Sequence, residues 1–387
     1  MGIQVQEEHS LAAPVAHPGG RRGRPSRRTV AIAATLGLAA AFTYLAVRGV
    51  DWHRAWVAVE HCRAWWLLPA LVVFAAQVLL RAMRWRSLFA HGRRPGRGPI
   101  IEATLIGYLF NSIMPARAGE AARVVSLTKN STVPPAEIVG TALVERVYDL
   151  VAVLVIFLAA SPWLPHVSWF GAAEVLAAAA AIGLAGTVAV LAIYGDRPLQ
   201  WLARPLGRLP RLSPESIERH VALLADGLSG LRHHRVALEA TIWTLVAWMA
   251  SSLWAWLVLL AFFPHITFAA GILVTIATGL AMVIPAPPAS LGVFEYACVL
   301  ALKAYGVSQT GALPYAVVLH ISNFLPLVIA GAVALHIGTR RAARQSQVAT
   351  YTSADPAPRE RARARDGHLW RQLRHGRQTA DRPAEDR

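Results

Sequence analysis

Six stretches of this chain are each as long and apolar as the core of a bilayer is thick, and nothing else in the sequence limits the fold so strongly. They cover residues 29–47, 64–83, 138–160, 171–194, 237–263 and 311–337. About 20 apolar residues cross the hydrocarbon as a helix. Backbone in lipid finds no water, so it pairs within helices or closed barrels, and runs of this length are helical. Three further runs, 100–117, 266–284 and 290–304, are shorter or interrupted. The expected fold is all-α: a polytopic transmembrane helical bundle of about 6–8 crossings with one or two re-entrant or broken helical segments. Composition agrees. Charged residues make up 16% of the chain and hydrophobic ones 55%, against about a quarter charged in soluble domains. A disordered chain and a disulfide scaffold are excluded, and Cys62 and Cys298 are expected to be unpaired.

Three regions follow from this. Residues 1–28 read as a basic, disordered tail. Residues 29–337 form the membrane domain, with 195–236 as a linker inside it, and 338–387 form a second basic, disordered tail close to anionic lipid headgroups. In the linker, Ile217, Val221, Leu224, Leu228 and Leu231 recur at helical spacing. That suits an amphipathic helix on the inner membrane surface or a short helix packed on the bundle. Ser26-Arg27-Arg28-Thr29-Val30 resembles a twin-arginine export signal, but more spans follow it, so it reads as a basic flank.

The net charge of +16 comes almost wholly from arginine, since Lys129 and Lys303 are the only lysines. The placement of the arginines carries the information. Residues 1–28 hold five, 84–99 five, 195–236 seven and 338–387 twelve, whereas 161–170 hold no charge. Basic segments flanking apolar runs follow the positive-inside rule, so nucleic acid is not an expected partner. The rule places both termini in the cytoplasm, 161–170 outside, and the protein in the plasma membrane as a multi-pass chain. Parity then demands that 100–117 not cross alone. A re-entrant hairpin is the simplest solution, and Pro115, Arg117, Gly119, Glu120 and Arg123 lie just where such a break is needed. Around Pro285-Ala286-Pro287-Pro288, parity allows either two short crossings or a second hairpin.

The two broken regions share a layout. Glu120 is followed by Lys129, Val133 and Glu145, and Glu295 by Lys303, Val307 and His320. Glu120 to Glu145 and Glu295 to His320 are both 25 residues. Short, Gly/Pro-interrupted segments at matching places in two halves point to an inverted repeat with a binding site between them.

Ionisable residues within apolar runs are costly and mark function by default. The candidates are Asn111, Arg117, Glu120, Arg123, Glu145, Arg146, Asp149 and Glu295. Glu145 and Asp149 are four apart and share a helix face. They repel unless a cation such as Arg117 or Arg123 lies between them. Arginine also presents a planar fork that grips phosphate with two hydrogen bonds. The competing reading is an ion-pair network that locks helices together. His320 reads either as a satisfied bundle histidine or as a proton relay, and Lys303 as a local partner for Glu295. The sequence has no Walker loop, GxGxxG, HExxH or CxxC pair, so no cofactor is expected and enzymatic chemistry lacks its usual supports.

Three motifs together resemble a known family. Arg81-Ala-Met-Arg84-Trp85-Arg86, then Asn111-Ser-Ile-Met-Pro115-Ala-Arg117-Ala-Gly119-Glu120-Ala-Ala-Arg123, then Glu145-Arg146-Val-Tyr-Asp149 look like the lysylphosphatidylglycerol synthase transmembrane-region family. Pro285-Ala-Pro-Pro-Ala-Ser-Leu-Gly292-Val-Phe-Glu295 fits its second-half motif, with Ala286 and Pro287 where more glycine is usual. The resemblance covers roughly 30–338 and implies a flippase-like lipid-handling domain. The 50 polar residues that end the chain are too few for the aminoacyl transferase that some members carry. The expected function is a lipid transporter that moves a phosphate-bearing lipid, a phospholipid or a polyprenyl-phosphate-linked sugar, between leaflets. The alternatives are a membrane glycosyltransferase using a polyprenyl-phosphate sugar and a non-catalytic partner in an envelope-assembly complex.

Overall fold

The computed structural model describes residues 27–89, 91–114, 118–165, 170–194, 234–282 and 288–354. All regular structure among them is helical. The helices are α1 (Arg27–Val47), α2 (Trp52–Glu60), α3 (Leu67–Ser87), α4 (Arg97–Ile113), α5 (Ala118–Asn130), α6 (Pro135–Ala160), α7 (Phe170–Tyr194), α8 (His234–Phe262), α9 (Phe268–Ala281), α10 (Val293–Lys303) and α11 (Gln309–Ala354). Three segments, Ala64–Ser87, Arg235–Phe262 and Gln309–Gln347, are long and apolar enough to cross a bilayer. The α6 helix has the length, at 26 residues, but carries Glu145, Arg146 and Asp149 within it. The expected linker helix in 195–236 and most of both tails lie outside the described residues.

The chain does break before Arg123. The α4 helix stops at Ile113, where Met114 turns extended, and α5 packs back along α4. Asn130 near the end of α5 reaches Glu102 near the start of α4 at 3.4 Å, while Gly119 and Asn111 meet at the other end. The two helices therefore form an antiparallel hairpin. Gly107 and Gly119 allow the approach, since a Cβ on Gly107 would lie 3.2 Å from the Gly119 carbonyl oxygen and 3.0 Å from Arg123 Cβ.

A second hairpin forms from α9 and α10, which also pack together. Leading into α10, Ala289 and Ser290 both have φ 58°, and Gly292 has φ 80°. Left-handed backbone is unfavourable for alanine and serine, and at Gly292 a side chain is also barred, because a Cβ would lie 2.7 Å from Thr43 N and 2.8 Å from Ala39 O of α1. The same segment, Pro288–Ser290 at the hairpin tip, rests on α4.

The hairpins point at one another from opposite ends of the bundle, and α6 is the ruler. It starts beside the base of the first hairpin, where Ile138 packs with Trp85, Phe89, Ile100 and Leu127 and Glu137 pairs with Arg93 at 3.1 Å. It ends at Ala160, just before Trp163, which shares a cavity wall with Phe263, Thr267 and Tyr305 at the base of the second. The α3 and α8 helices run antiparallel between these two ends: Arg63 N–H bonds the Ala261 carbonyl at one, and Arg94 pairs with Glu239 at the other. The α11 helix begins at the second-hairpin end, where Gln309 donates to the Leu45 and Ala46 carbonyls. It then passes α4 at Gly331, where a Cβ would lie 2.6 Å from Leu105 O. At 46 residues and 1.5 Å per residue it is roughly 70 Å long, more than a bilayer core requires. Each half thus repeats a hairpin followed by a long helix, as the matched 25-residue spacings suggest.

Candidate functional site

The polar centre lies where α3, α5, α6 and α8 meet. Glu145 and Asp149 project from one face of α6 into the bundle, both buried. Their mutual repulsion is relieved by Arg84, one turn before the end of α3. Its guanidinium pairs with both carboxylates, with Nη2 also 3.3 Å from Asp149 Oδ2. The Arg84 side chain is 2% exposed, so the pair of acids closes around a wholly enclosed cation.

From α5, Arg123 Nη1 lies 2.8 Å from Glu145 Oε2 and Nη2 lies 2.8 Å from Glu120 Oε2. The second approach, and that at Glu145 Oε2, have ion-pair distance without hydrogen-bond alignment. The Arg123 guanidinium covers the Trp85 ring at 4.6 Å, a stacking that arginine's weak hydration favours. Arg146 bridges outward, pairing with Glu120 and lying 3.6 Å from Asp149 Oδ2. Behind Asp149, Trp248 Nε1 donates to Oδ1 at 3.0 Å. The Trp248 ring lies under Arg81 at 5.1 Å, and Arg81 donates to Gln77 at 3.0 Å and Ser251 at 3.1 Å.

Three cations, Arg84, Arg123 and Arg146, thus meet three carboxylates, Glu120, Glu145 and Asp149. Removing ions from water costs several kcal/mol each, and only close opposite charges offset it. Exposure grades across the cluster and divides the labour. The Arg84 and Arg123 side chains are 2% and 8% exposed, Glu120 31% and Arg146 45%. The inner arginines are paired with carboxylates, and the Arg146–Glu120 edge is the most exposed part of the cluster.

Of the remaining sequence candidates, Asn111 meets the edge of this cluster, accepting the Gly119 N–H at 2.9 Å. Arg117 lies outside the described residues. Glu295 belongs to the other half of the molecule: Oε1 is 2.5 Å from His320 Nδ1, and Oε2 accepts the Gly292 N–H at 2.7 Å. Its partner is therefore His320 rather than Lys303. Sequence reasoning did not single out Arg84 as a site residue, nor Arg81 and Trp248. The available signal was Arg81 and Arg84 at i, i+3 directly after an apolar run, a spacing that puts both on one helix face. No group of three or more His, Cys, Asp or Glu side chains able to hold a metal ion occurs among the described residues.

Comparison with known proteins finds relatives of this sequence. The family profile described as the lysylphosphatidylglycerol synthase TM region matches residues 30–331. The chain is similar to the UPF0104 membrane protein MJ1078 of Methanocaldococcus jannaschii, 24% identical over 242 residues, covering 62% of this chain and 99% of that protein. It is also similar to Glycosyltransferase AglD of Haloferax volcanii, 26% identical over 318 residues, covering 72% of this chain and 51% of that protein. The match to the glycosyltransferase thus spans about half of its length.

Proposed function

This chain belongs to the lysylphosphatidylglycerol synthase transmembrane-region family, and we propose that it moves a phosphate-bearing lipid between the leaflets of the plasma membrane. The single observation that carries this reading is a cluster of paired arginines and carboxylates with one exposed edge, built beside a broken hairpin inside an apolar bundle. Arg146 and Glu120 meet the headgroup. A phosphate displaces the Glu120 carboxylate from the Arg146 fork, and the freed carboxylate turns to an amine or hydroxyl of the headgroup. Arg84, Arg123, Glu145 and Asp149 hold these two in place, and Asn111 fixes the hairpin tip beside them. The acyl chains stay in lipid against the exposed apolar faces of the helices. Both termini and the first-hairpin base face the cytoplasm, following the arginine distribution, and the tails rest on anionic headgroups.

Reconstitution tests this. The purified chain in vesicles of phosphatidylethanolamine and phosphatidylglycerol should move a tail-labelled fluorescent phosphatidylglycerol across the bilayer, with its mass unchanged by mass spectrometry. A probe that stays in its leaflet would count against the reading.

A second reading, glycosyl transfer from a polyprenyl-phosphate sugar, is favoured by the name of one relative. It needs a carboxylate base, and the two best placed, Glu120 and Glu145, are each engaged by arginine. In the same vesicles it predicts a change of lipid mass.

A further inference from the structure

The second hairpin has the layout of the first but almost none of its charge. Three residues after Glu120 comes Arg123; three after Glu295 comes Cys298, which is buried. Twenty-five residues after Glu120, α6 carries Glu145 with Arg146 and Asp149; at the same spacing α11 carries His320 with Ile321 and Phe324. The arginines that fix the first cluster are charged at every physiological pH. In their place the second half has one titratable base, His320, touching one acid.

The pair is well enclosed. The Glu295 and His320 side chains are 12% and 10% exposed, and the His320 ring lies between Phe294 at 4.7 Å and Phe324 at 6.4 Å, centroid to centroid. Few other ionisable groups face it. Cys298 on α10 is near enough to interact with Glu295, and Tyr315 on α11 with Cys298. The α9 helix has no ionisable side chain, α8 has none after Glu239, and α1 meets this tip with Ala39 and Thr43. On α4, where the tip rests, Tyr108 is the ionisable residue between Glu102 and the helix end. The α2 helix reaches α11 ten residues before His320, at Thr310. Among the described residues the ion-pair partner of Glu295 is His320, whose charge depends on its proton.

The same carboxylate closes the hairpin tip. Its second oxygen accepts the Gly292 N–H at 2.7 Å, where Ala289 and Ser290 are held left-handed and Gly292 presses on α1. With His320 neutral the pair has a net charge of −1; one proton makes it a neutral ion pair; a second neutralises the carboxylate and weakens its hold on Gly292. Proton number is thereby tied to the turn that packs the second hairpin against α1 and α4.

We propose that Glu295 and His320 form a proton-binding site through which the protein couples lipid movement to a proton gradient, an inference that rests on the lipid-moving reading above. The proton is taken from water on one side onto the His320 ring or the Glu295 carboxylate. It returns to water on the other side when the hairpin tip has shifted, and no other bond is made or broken. Buried acid and histidine pairs serve as proton relays in membrane proteins because a lone charge there is costly.

The test has two arms on the full chain. In the first, histidine-selective nitrogen NMR follows His320 in lipid nanodiscs from about pH 5 to about pH 9, the range in which imidazole charge changes, with the signal assigned by its loss in His320→Gln. His320 is expected to change protonation, and a ring that keeps one state throughout overturns the site. In the second, vesicles of phosphatidylethanolamine and phosphatidylglycerol carry the fluorescent phosphatidylglycerol under a gradient of about one pH unit, which can drive up to about a tenfold leaflet asymmetry for one proton per lipid. Wild type is expected to build that asymmetry and His320→Gln to build none. Probe that spreads evenly in wild type despite the gradient, or asymmetry that survives in His320→Gln, overturns the coupling and leaves the lipid-moving reading standing. Probe that never moves while His320 titrates overturns the lipid-moving reading instead and keeps the proton site. The first arm needs no variant to fold beyond the assignment, and Glu295→Gln, which should shift the His320 titration, provides a second assignment.

Discussion

Asn111 Oδ1 accepts the Gly119 N–H at 2.9 Å across the break between α4 and α5. The first N–H groups of a helix have no partner within it, and here a side chain from the preceding helix supplies one. Asn111 therefore caps α5 and sets where Glu120, the next residue, points. Asn111→Ala should destabilise the protein by about 1 kcal/mol, the usual cost of a lost cap, while Asn111→Asp should retain the acceptor. Thermal unfolding in detergent would show it. An alanine variant as stable as wild type would mean that the contact does not hold the hairpin.

Gly119 itself should be less forgiving. A Cβ there would overlap the Gly107 carbonyl oxygen and the Asn111 side-chain amide. Alanine is ordinarily the better helix former by roughly 0.5–1 kcal/mol, so the sign of Gly119→Ala separates the two effects. Overpacking at backbone should win and cost about 1–3 kcal/mol. A rise in melting temperature would show that the hairpin can open without loss.

Arg84 should behave as a structural cation. Arg84→Met leaves Glu145 and Asp149 buried on one face, with Arg123, Arg146 and the more distant Arg81 as the cations near them. Breaking a buried pair in this way costs about 3–5 kcal/mol, so monodisperse yield on size exclusion should fall sharply. Adding Glu145→Gln and Asp149→Asn should recover part of it. If the triple variant is no better than Arg84→Met, charge balance is not what Arg84 contributes.

Orientation follows from the two ends of the bundle. Trp163, 73% exposed, lies at the second-hairpin end, and Arg97 lies at the first. In a background with Cys62→Ser and Cys298→Ala, an impermeant maleimide should label Trp163→Cys on intact cells and Arg97→Cys only after lysis. The opposite pattern would invert the proposed topology.

Some of this architecture is legible in the chain and some is not, for physical reasons. The hairpin before Arg123 is visible because it is the simplest way to satisfy the parity of crossings once basic loops are counted, and because Pro115 and Gly119 mark the place. The shared face of Glu145 and Asp149 follows from helical period alone. Arg84 is hidden because a basic residue ending a span is already explained by the positive-inside rule; its acidic partners lie 61 and 65 residues away. The partner of Glu295 is ambiguous because Lys303 is nearer in sequence. Eight residues of helix separate the two by roughly 12 Å, and Lys303 faces outward while His320 arrives from α11. Local period identifies faces; which faces meet is decided by packing between distant segments.

The exposure gradient across the charged cluster gives the last prediction. If Arg146 holds the phosphate, Arg146→Gln should cost less stability than loss of a buried arginine, because its side chain is 45% exposed against 8% for Arg123. Its melting temperature should stay closer to wild type than that of a buried-arginine variant. Binding of the fluorescent phosphatidylglycerol should weaken roughly tenfold or more, since hydrogen bonds to a charged group are worth about 1.5–3 kcal/mol. Arg146→Lys keeps the charge and loses the fork, so it should fall between the two if bidentate contact matters and match wild type if only charge does. Arg123→Lys is the control from the buried side of the same Glu120. It should lower stability first, because its fork spans two carboxylates and covers Trp85. Should Arg146→Gln bind the lipid as wild type does, while Arg123→Lys folds normally and fails to bind, the phosphate would lie at the buried arginine and the division of roles drawn from exposure would be reversed.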